Sequence, residues 1–467
     1  MSDGVAARGF TLTGPMLASA DMLSLFSDQA AVQRMLDFEA ALARAEAAHG
    51  VIPADAVAAI VDCCDAARID LPALAQAAAA AGNLAIPLVK QLTAAVLRDD
   101  AEAGKYVHWG ATSQDAIDTG LVLQLRDALS LVAADLAALA GALASLARVH
   151  RDTTMVGRTW MQHALPTSLG LKAAGFLDAV LRHRQRLQQV RGRALALQFG
   201  GAAGTLASLG DKGLAVAATL AQDLGLSLPD LPWHTQRDRV AEVATVLGLL
   251  TGTLGKMARD ISLMMQTDVA EAAEPSAPGR GGSSTMPHKR NPVGCAAALT
   301  AAARVPALVS TMLSGMVQEH ERALGGWQAE WDTLPDIVLL TSGALRQMRD
   351  VAAGLQVDAA RMRANLELTH GLIMGESVML ALGAAIGRMA AHKLVEQASQ
   401  EAAASGRHLR EVLGENADIG RHLSPEALDR LFDPANYRGE AGAFVDRVLS
   451  RYEQSEHENK PGTETRP

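Results

Sequence analysis

Residues 279–292 read GRGGSSTMPHKRNP: two adjacent serines, the bases His288, Lys289 and Arg290, and Asn291, set among glycines and prolines. Hydroxyls beside cations on a pliable backbone suit anion chemistry. The cations hold the negative charge, and the hydroxyls hydrogen-bond to it. Three uses compete: a phosphate cradle, a solvated linker, or a mobile lid carrying a catalytic group. A phosphate loop needs Lys after its second Gly and a strand before the first. Here Ser283 follows Gly282, and no strand pattern precedes it. FGGAAGTLASLG (199–210) also lacks the dinucleotide-binding spacing and a βαβ context. A linker leaves Ser283, Ser284, His288, Lys289, Arg290 and Asn291 unexplained. A lid closing over an anion uses them.

Other segments carry candidate groups. HWGATSQDAIDTG (108–120) supplies His108, Thr112 and Ser113, and GRTWMQHALPTSLG (157–170) supplies Arg158, Trp160, Gln162 and His163. His163 is either an acid/base group, because imidazole titrates near neutrality, or a core histidine. His108 reads the same way, or as a brace for the Thr112 segment. Trp160 is packing, or a wall against a planar substrate. Arg237 and Arg239 in TQRDR bind a carboxylate or bridge helices. Cys295 invites a nucleophile reading, but no neighbouring His with Asp or Glu supports it, so a small buried apolar role is expected. Cys63 and Cys64 read as helix surface and core. No Cys-x-x-Cys pair or His-rich spacing points to a metal.

Something long and helical must position these groups. The chain of 467 residues is 49% hydrophobic but only 3% aromatic, and Ala and Leu dominate, which favours helix. From Asp238 the apolar residues Val240, Val243, Leu247, Leu250, Leu254, Met257, Ile261 and Met264 step by three and four without a slip. That is a heptad-like seam. Val132, Leu136, Leu139, Leu143 and Leu146 repeat it within 117–150, and 164–198 and 293–320 are also long and Ala/Leu-rich. Rods of ~30 residues, about 45 Å long, hide such stripes only by packing together. The expected fold is all-α with three helical domains: 1–108, a central long-helix bundle over 109–355 carrying the loop 272–292, and 356–451. Residues 452–467 read as a disordered tail.

The net charge of -9 argues against general nucleic-acid binding. No secretory leader is evident, the apolar run 131–147 is interrupted by Asp135, and three cysteines are too few for a disulfide framework. A cytoplasmic protein without membrane or nucleic-acid partners is expected.

Gly282-Ser283-x-x-Met286-x-x-Lys289-x-Asn291 resembles the signature of the fumarase/aspartase superfamily, and the segments 108–120 and 157–170 resemble its two other site regions. The resemblance covers nearly the whole chain. It implies a homotetramer with sites assembled from three subunits, and no cofactor. It also implies proton transfer at a carbon next to a carboxylate. Ser283 would be the base, with Ser284 as the fallback. Lys289, Asn291, Thr112 and Ser113 would clamp the carbanion as an aci-carboxylate.

In the amine-releasing branch, such as the adenylosuccinate lyases, a His stands where this chain has Trp160, and its Glu partner stands where this chain has Ala296. An expelled amine needs a proton, whereas a carboxylate, with a pKa of about 4, leaves as the anion. Loss of both groups, with GRTWMQHALP, QFGGAAGTLASLG, PWHTQRDR and QEHERALGGWQAEW, resembles the branch that closes carboxymuconates to lactones. That implies a small-molecule tricarboxylate substrate, with Arg158, Arg237, Arg290 and His288 as candidates to bind it and Gln162 as a further contact. An amine lyase and a non-catalytic, crystallin-like relative are the alternatives. The intact Ser283, Lys289 and Asn291 oppose the second.

Overall fold

A computed structural model describes residues 12–458. Long helices dominate: α1 (Asp28–Ala48), α2 (Ala85–Asp99) and α3 (Ser113–Val149) come first. A hairpin of β1 (Thr154–Thr159) and β2 (Gln162–Ser168) follows. Then come α4 (Leu169–Ala194), α5 (Asp238–Met264), α6 (Val293–Ser314), α7 (Gly326–Ala353) and α8 (Ala441–Glu458). Further helices lie before α3, between α4 and α5 and after α7.

The chain divides into two compact units. One holds the described residues up to Leu136, with His183–Gly255 and Ala296–Gln347. The other holds Ala137–Arg182, Lys256–Cys295 and the described residues from Met348 onward. The helices α3, α4, α5, α6 and α7 each contribute residues to both. In the first unit, Leu36 of α1 packs in one cluster with Leu88, Leu92 and Val96 of α2. In the second, Leu143 and Leu146 of α3 meet Leu169 and Phe176 of α4 and Met257, Ile261 and Met264 of α5 around a small apolar cavity. A separate cluster near the C-terminus gathers Val378, Leu382, Leu409, Leu413 and Ile419.

The seam on α5 is consumed in packing. All eight of its apolar residues, Val240 to Met264, are at most 4% exposed. Each buried side chain of this kind contributes about 2 kcal/mol. By length and apolarity alone, α3, α5 and α6 are long enough to cross a membrane, which the interruption at Asp135 did not anticipate. Ala/Leu-rich helices inside a bundle and across a bilayer have the same composition.

Three expectations about elements change. The segment 164–198 begins as strand, and helix starts only at Leu169. The helix from 293 stops at Ser314, before a buried Gly315. Residues 452–458 are the end of α8, where Glu453 pairs with Arg148 at 2.8 Å. Residues 459–467 of the expected tail lie outside the described residues.

Candidate active site

The hairpin carries four of the candidate residues. Its strands pair Thr154 with Ser168 at the base and Thr159 with Gln162 at the tip, and the register slips between Val156 and Arg158. Gly157 sits at the slip, where a Cβ would lie 2.8 Å from the Leu165 carbonyl oxygen, so no side chain fits. The tip is Trp160-Met161, with φ of 53° and 65°. Positive φ at both central residues is the hairpin turn that favours Asn-Gly. Two bulky residues there cost about 1–2 kcal/mol each. Trp160 is nonetheless 97% exposed and Met161 70%. Strain that presents large apolar groups outward is a mark of function.

Arg158 and His163 are cross-strand partners, so their side chains share one face. Arg158 donates to both oxygens of buried Glu271, at 2.9 and 2.7 Å, and Asn365 donates to the same carboxylate at 2.8 Å. The charge of Arg158 is therefore answered within the chain. This corrects its reading as a cation open to substrate. Burial lowers the His163 pKa and Arg158 lowers it further, so the ring is neutral at neutral pH. Its Nδ1 is buried and takes no partner among the described residues. It borders a cavity of about 440 Å³, shared with Thr369, Leu372, Ile373 and Glu376. Gln162 is exposed.

The loop that follows Glu271 is stapled at its root. Buried Glu274 accepts from the backbone N–H of Gly294 and Cys295, at 3.0 and 2.8 Å, and so caps α6. Arg290 donates to the Glu274 carbonyl oxygen and to Gln356, which staples the loop while leaving its charge, like that of Arg322, unpaired with any carboxylate among the described residues. Gly281 has φ 67°, and a Cβ there would meet the Asn291 oxygen at 2.6 Å. The Asn291 N–H donates back to Gly281 at 2.9 Å and closes the loop. Gly282 has nothing near it and keeps its freedom. Beyond the staple, Ser284, Met286, His288 and Lys289 are exposed. Ser283 Oγ accepts from the N–H of Met286 at 3.1 Å and of Thr285 at 3.4 Å. Such bonds favour the alkoxide. Cys295 is fully buried, and burial pushes its thiol pKa up, against a nucleophile. Cys63 and Cys64 are both buried too, which corrects the surface half of that reading.

In the first unit, Thr112 and Ser113 open α3. Two buried carboxylates organise this end. Asp115 accepts from the N–H of Thr112, Gly200 and Gly201, from Gln198, and pairs with His234 at 3.0 Å. Asp118, three residues on, binds Gln114, Trp327 and Arg237. Arg237 is 1% exposed and also pairs with Glu330 at 2.5 Å. Two carboxylates and the Trp233 ring surround its guanidinium, so Arg237 bridges helices and is not a cation open to substrate. Arg239 donates to the Arg193 carbonyl. His108, at φ 59°, pairs with buried Glu39 at 2.6 Å and braces the segment. Burial pulls its pKa down, but Glu39 outweighs this and the net shift is upward.

One residue escaped the sequence reading. Arg322, half-buried, donates to Gln114 Oε1 and the Ala202 carbonyl oxygen, each at 3.2 Å. Neither acceptor is charged, and no carboxylate pairs with it among the described residues. It brings an uncancelled positive charge to the residue next to Ser113. Its signal was present in QEHERALGG, where nothing distinguishes it from a surface arginine.

Residues 17–307 match the family described as Lyase, and residues 371–448 match the one described as Adenylosuccinate lyase C-terminus. The chain is similar to the 3-carboxy-cis,cis-muconate cycloisomerase of Bradyrhizobium diazoefficiens, 58% identical, with 95% of this chain and 98% of that one covered. The protein of that name from Pseudomonas aeruginosa is also 58% identical, covering 93% and 95%. The crystal structure of 3-carboxy-cis,cis-muconate lactonizing enzyme from Pseudomonas putida superposes with a TM-score of 0.92 at 56% identity, covering 95% of this chain and 99% of that one.

Proposed function

This chain belongs to the Lyase family, within the fumarate lyase superfamily, and on that footing we propose that it is an isomerase closing 3-carboxy-cis,cis-muconate to 4-carboxymuconolactone, a step of protocatechuate breakdown by the β-ketoadipate route. One observation carries the reading. A loop built for an anion and a proton, with Ser283 and Lys289, stands in a chain whose acid–carboxylate positions are Trp160 and Ala296. Chemistry that needs no protonated amine fits both facts. Similarity to cycloisomerases over nearly the full length supports it.

In this mechanism a substrate carboxylate oxygen bonds to one carbon of the double bond. The electron pair moves to the neighbouring carbon and into its carboxylate. Lys289, Asn291, Thr112 and Ser113 hold that charge, and Arg322 and His288 hold the remaining carboxylates. Ser283 gives its proton to the carbanion and is reprotonated from solvent. Its two backbone donors and Lys289 stabilise the alkoxide in between. Three carboxylates become two and a lactone, so one proton is consumed per turnover. Trp160 walls the planar substrate and Gln162 and Met286 complete its surroundings, while His163 remains a neutral hydrogen-bonding group. The working enzyme is a homotetramer in which the three regions come from different subunits.

The test is direct. The purified protein, without added metal or cofactor, is mixed with 3-carboxy-cis,cis-muconate and the muconate absorbance is followed. Loss of absorbance with lactone formation is the expected result. Cleavage of adenylosuccinate with the muconate left untouched would overturn the reading.

A further inference from the structure

We propose that Asn83 is a positioning residue for Ser113: its side-chain amide holds the Ser113 hydroxyl so that the hydroxyl proton is turned toward a substrate carboxylate. This rests on the reading of Ser113 as a substrate-binding group.

The geometry leaves little choice of orientation. Asn83 lies just before α2, and its Oδ1 accepts from the N–H of Ala85 at 2.9 Å and of Ile86 at 3.3 Å. Those are the open donors of a helix N-terminus. They identify which end of the amide is oxygen. The other end is therefore Nδ2, which only donates, and it lies 2.9 Å from Ser113 Oγ. A serine hydroxyl has one proton and two lone pairs. With a lone pair taken by Asn83, the proton has to find another acceptor. Ser113 is the first residue of α3, where unpaired N–H groups and the helix dipole favour an anion. The uncancelled charge of Arg322 lies against Gln114, the next residue. A carboxylate is the acceptor this corner is built for. Asn83 thus does two things: it caps α2 through oxygen and orients Ser113 through nitrogen.

The two roles separate by mutation. Asn83→Ser and Asn83→Asp both keep a good capping oxygen and lose the amide donor. In Asn83→Asp the Ser113 proton turns toward the new carboxylate. The expected result is unchanged thermal stability with KM for 3-carboxy-cis,cis-muconate raised about five- to tenfold, the scale of one ordinary hydrogen bond. The decisive measurement repeats Asn83→Ser in a Ser113→Ala background, where the further rise in KM should fall below about twofold. A wild-type KM for Asn83→Ser, or the same rise with Ser113 already gone, would overturn the proposal. A wild-type KM for Ser113→Ala alone would instead overturn the reading of Ser113 on which it rests.

Discussion

Arg158 and His163 face each other across the hairpin, and Arg158 is held in place by both oxygens of Glu271. The imidazole therefore sits beside a fixed positive charge, in a partly desolvated spot. Its titration should fall below the ordinary value of about 6.5. In Arg158→Gln, Glu271 remains and pulls the other way, so the midpoint should rise. NMR titration of the ring proton reads both. A midpoint that does not move in the variant would mean that the guanidinium is not the neighbour described.

Ser283 and Lys289 stand on the free part of a loop whose root is stapled by Glu274 and Arg290. Ser283→Ala and Lys289→Met should leave the folded assembly intact and each lower kcat by about 10²–10⁴. Turnover is read by absorbance and assembly by light scattering. Full turnover in Ser283→Ala would remove Ser283 as the proton carrier.

Arg237 and Arg322 make a contrasting pair. Arg237 neutralises two buried carboxylates, so Arg237→Gln should destabilise the fold by about 3–5 kcal/mol. Arg322 is bonded only to neutral oxygens, so Arg322→Gln should melt close to wild type and raise KM about tenfold or more. Melting curves beside steady-state kinetics check the pair. The reverse pattern would exchange their roles.

The tip of the hairpin trades stability for presentation. Trp160→Asn with Met161→Gly supplies the residues that this turn prefers. The double variant should gain about 2–4 kcal/mol of stability, the sum over the two positions, seen in calorimetry, while kcat/KM falls. A gain in both would leave the exposed Trp160 without a purpose in catalysis.

Glu46 is 1% exposed and neither of its carboxyl oxygens has a partner among the described residues. Burial pushes its pKa up to about 9, with Glu39 adding to the shift. A raised carboxyl stays neutral in the folded chain while the unfolded chain ionises. Stability is therefore complete below pH 4.5 or so and is lost as pH climbs toward 9. At pH 7 the loss is ~3 kcal/mol. Glu46→Gln should raise the melting temperature at pH 8 and leave it nearly unchanged near pH 4.5. An equal shift at both would assign the effect to packing.

The long helices were legible because their signal is periodic. Val240 to Met264 repeat every three and four residues, and each of them is buried. The hairpin was not legible, because Trp160-Met161 contradicts the preference of the turn it forms. The loop chemistry was readable from Ser283, Lys289 and Asn291 as residue types. The arginines were not, because a guanidinium declares its role through its partner. Arg237 and Arg158 meet carboxylates from residues far along the chain, and Arg322 does not. The same holds for Asp115, whose partners at Gln198, Gly200, Gly201 and His234 turn two motifs, one glycine-bearing and one histidine-bearing, into supports for Thr112.

The three cysteines give the molecule an experimental handle. Cys63, Cys64 and Cys295 are all buried, and burial raises the pKa of each thiol. A maleimide probe at neutral pH requires an accessible thiolate, so the native protein is nearly silent toward it. One cysteine placed at exposed Thr285 would carry the only fast-reacting thiol among the described residues. A fluorophore there would report any movement of the Ser283 loop, in a protein that needs no prior cysteine removal.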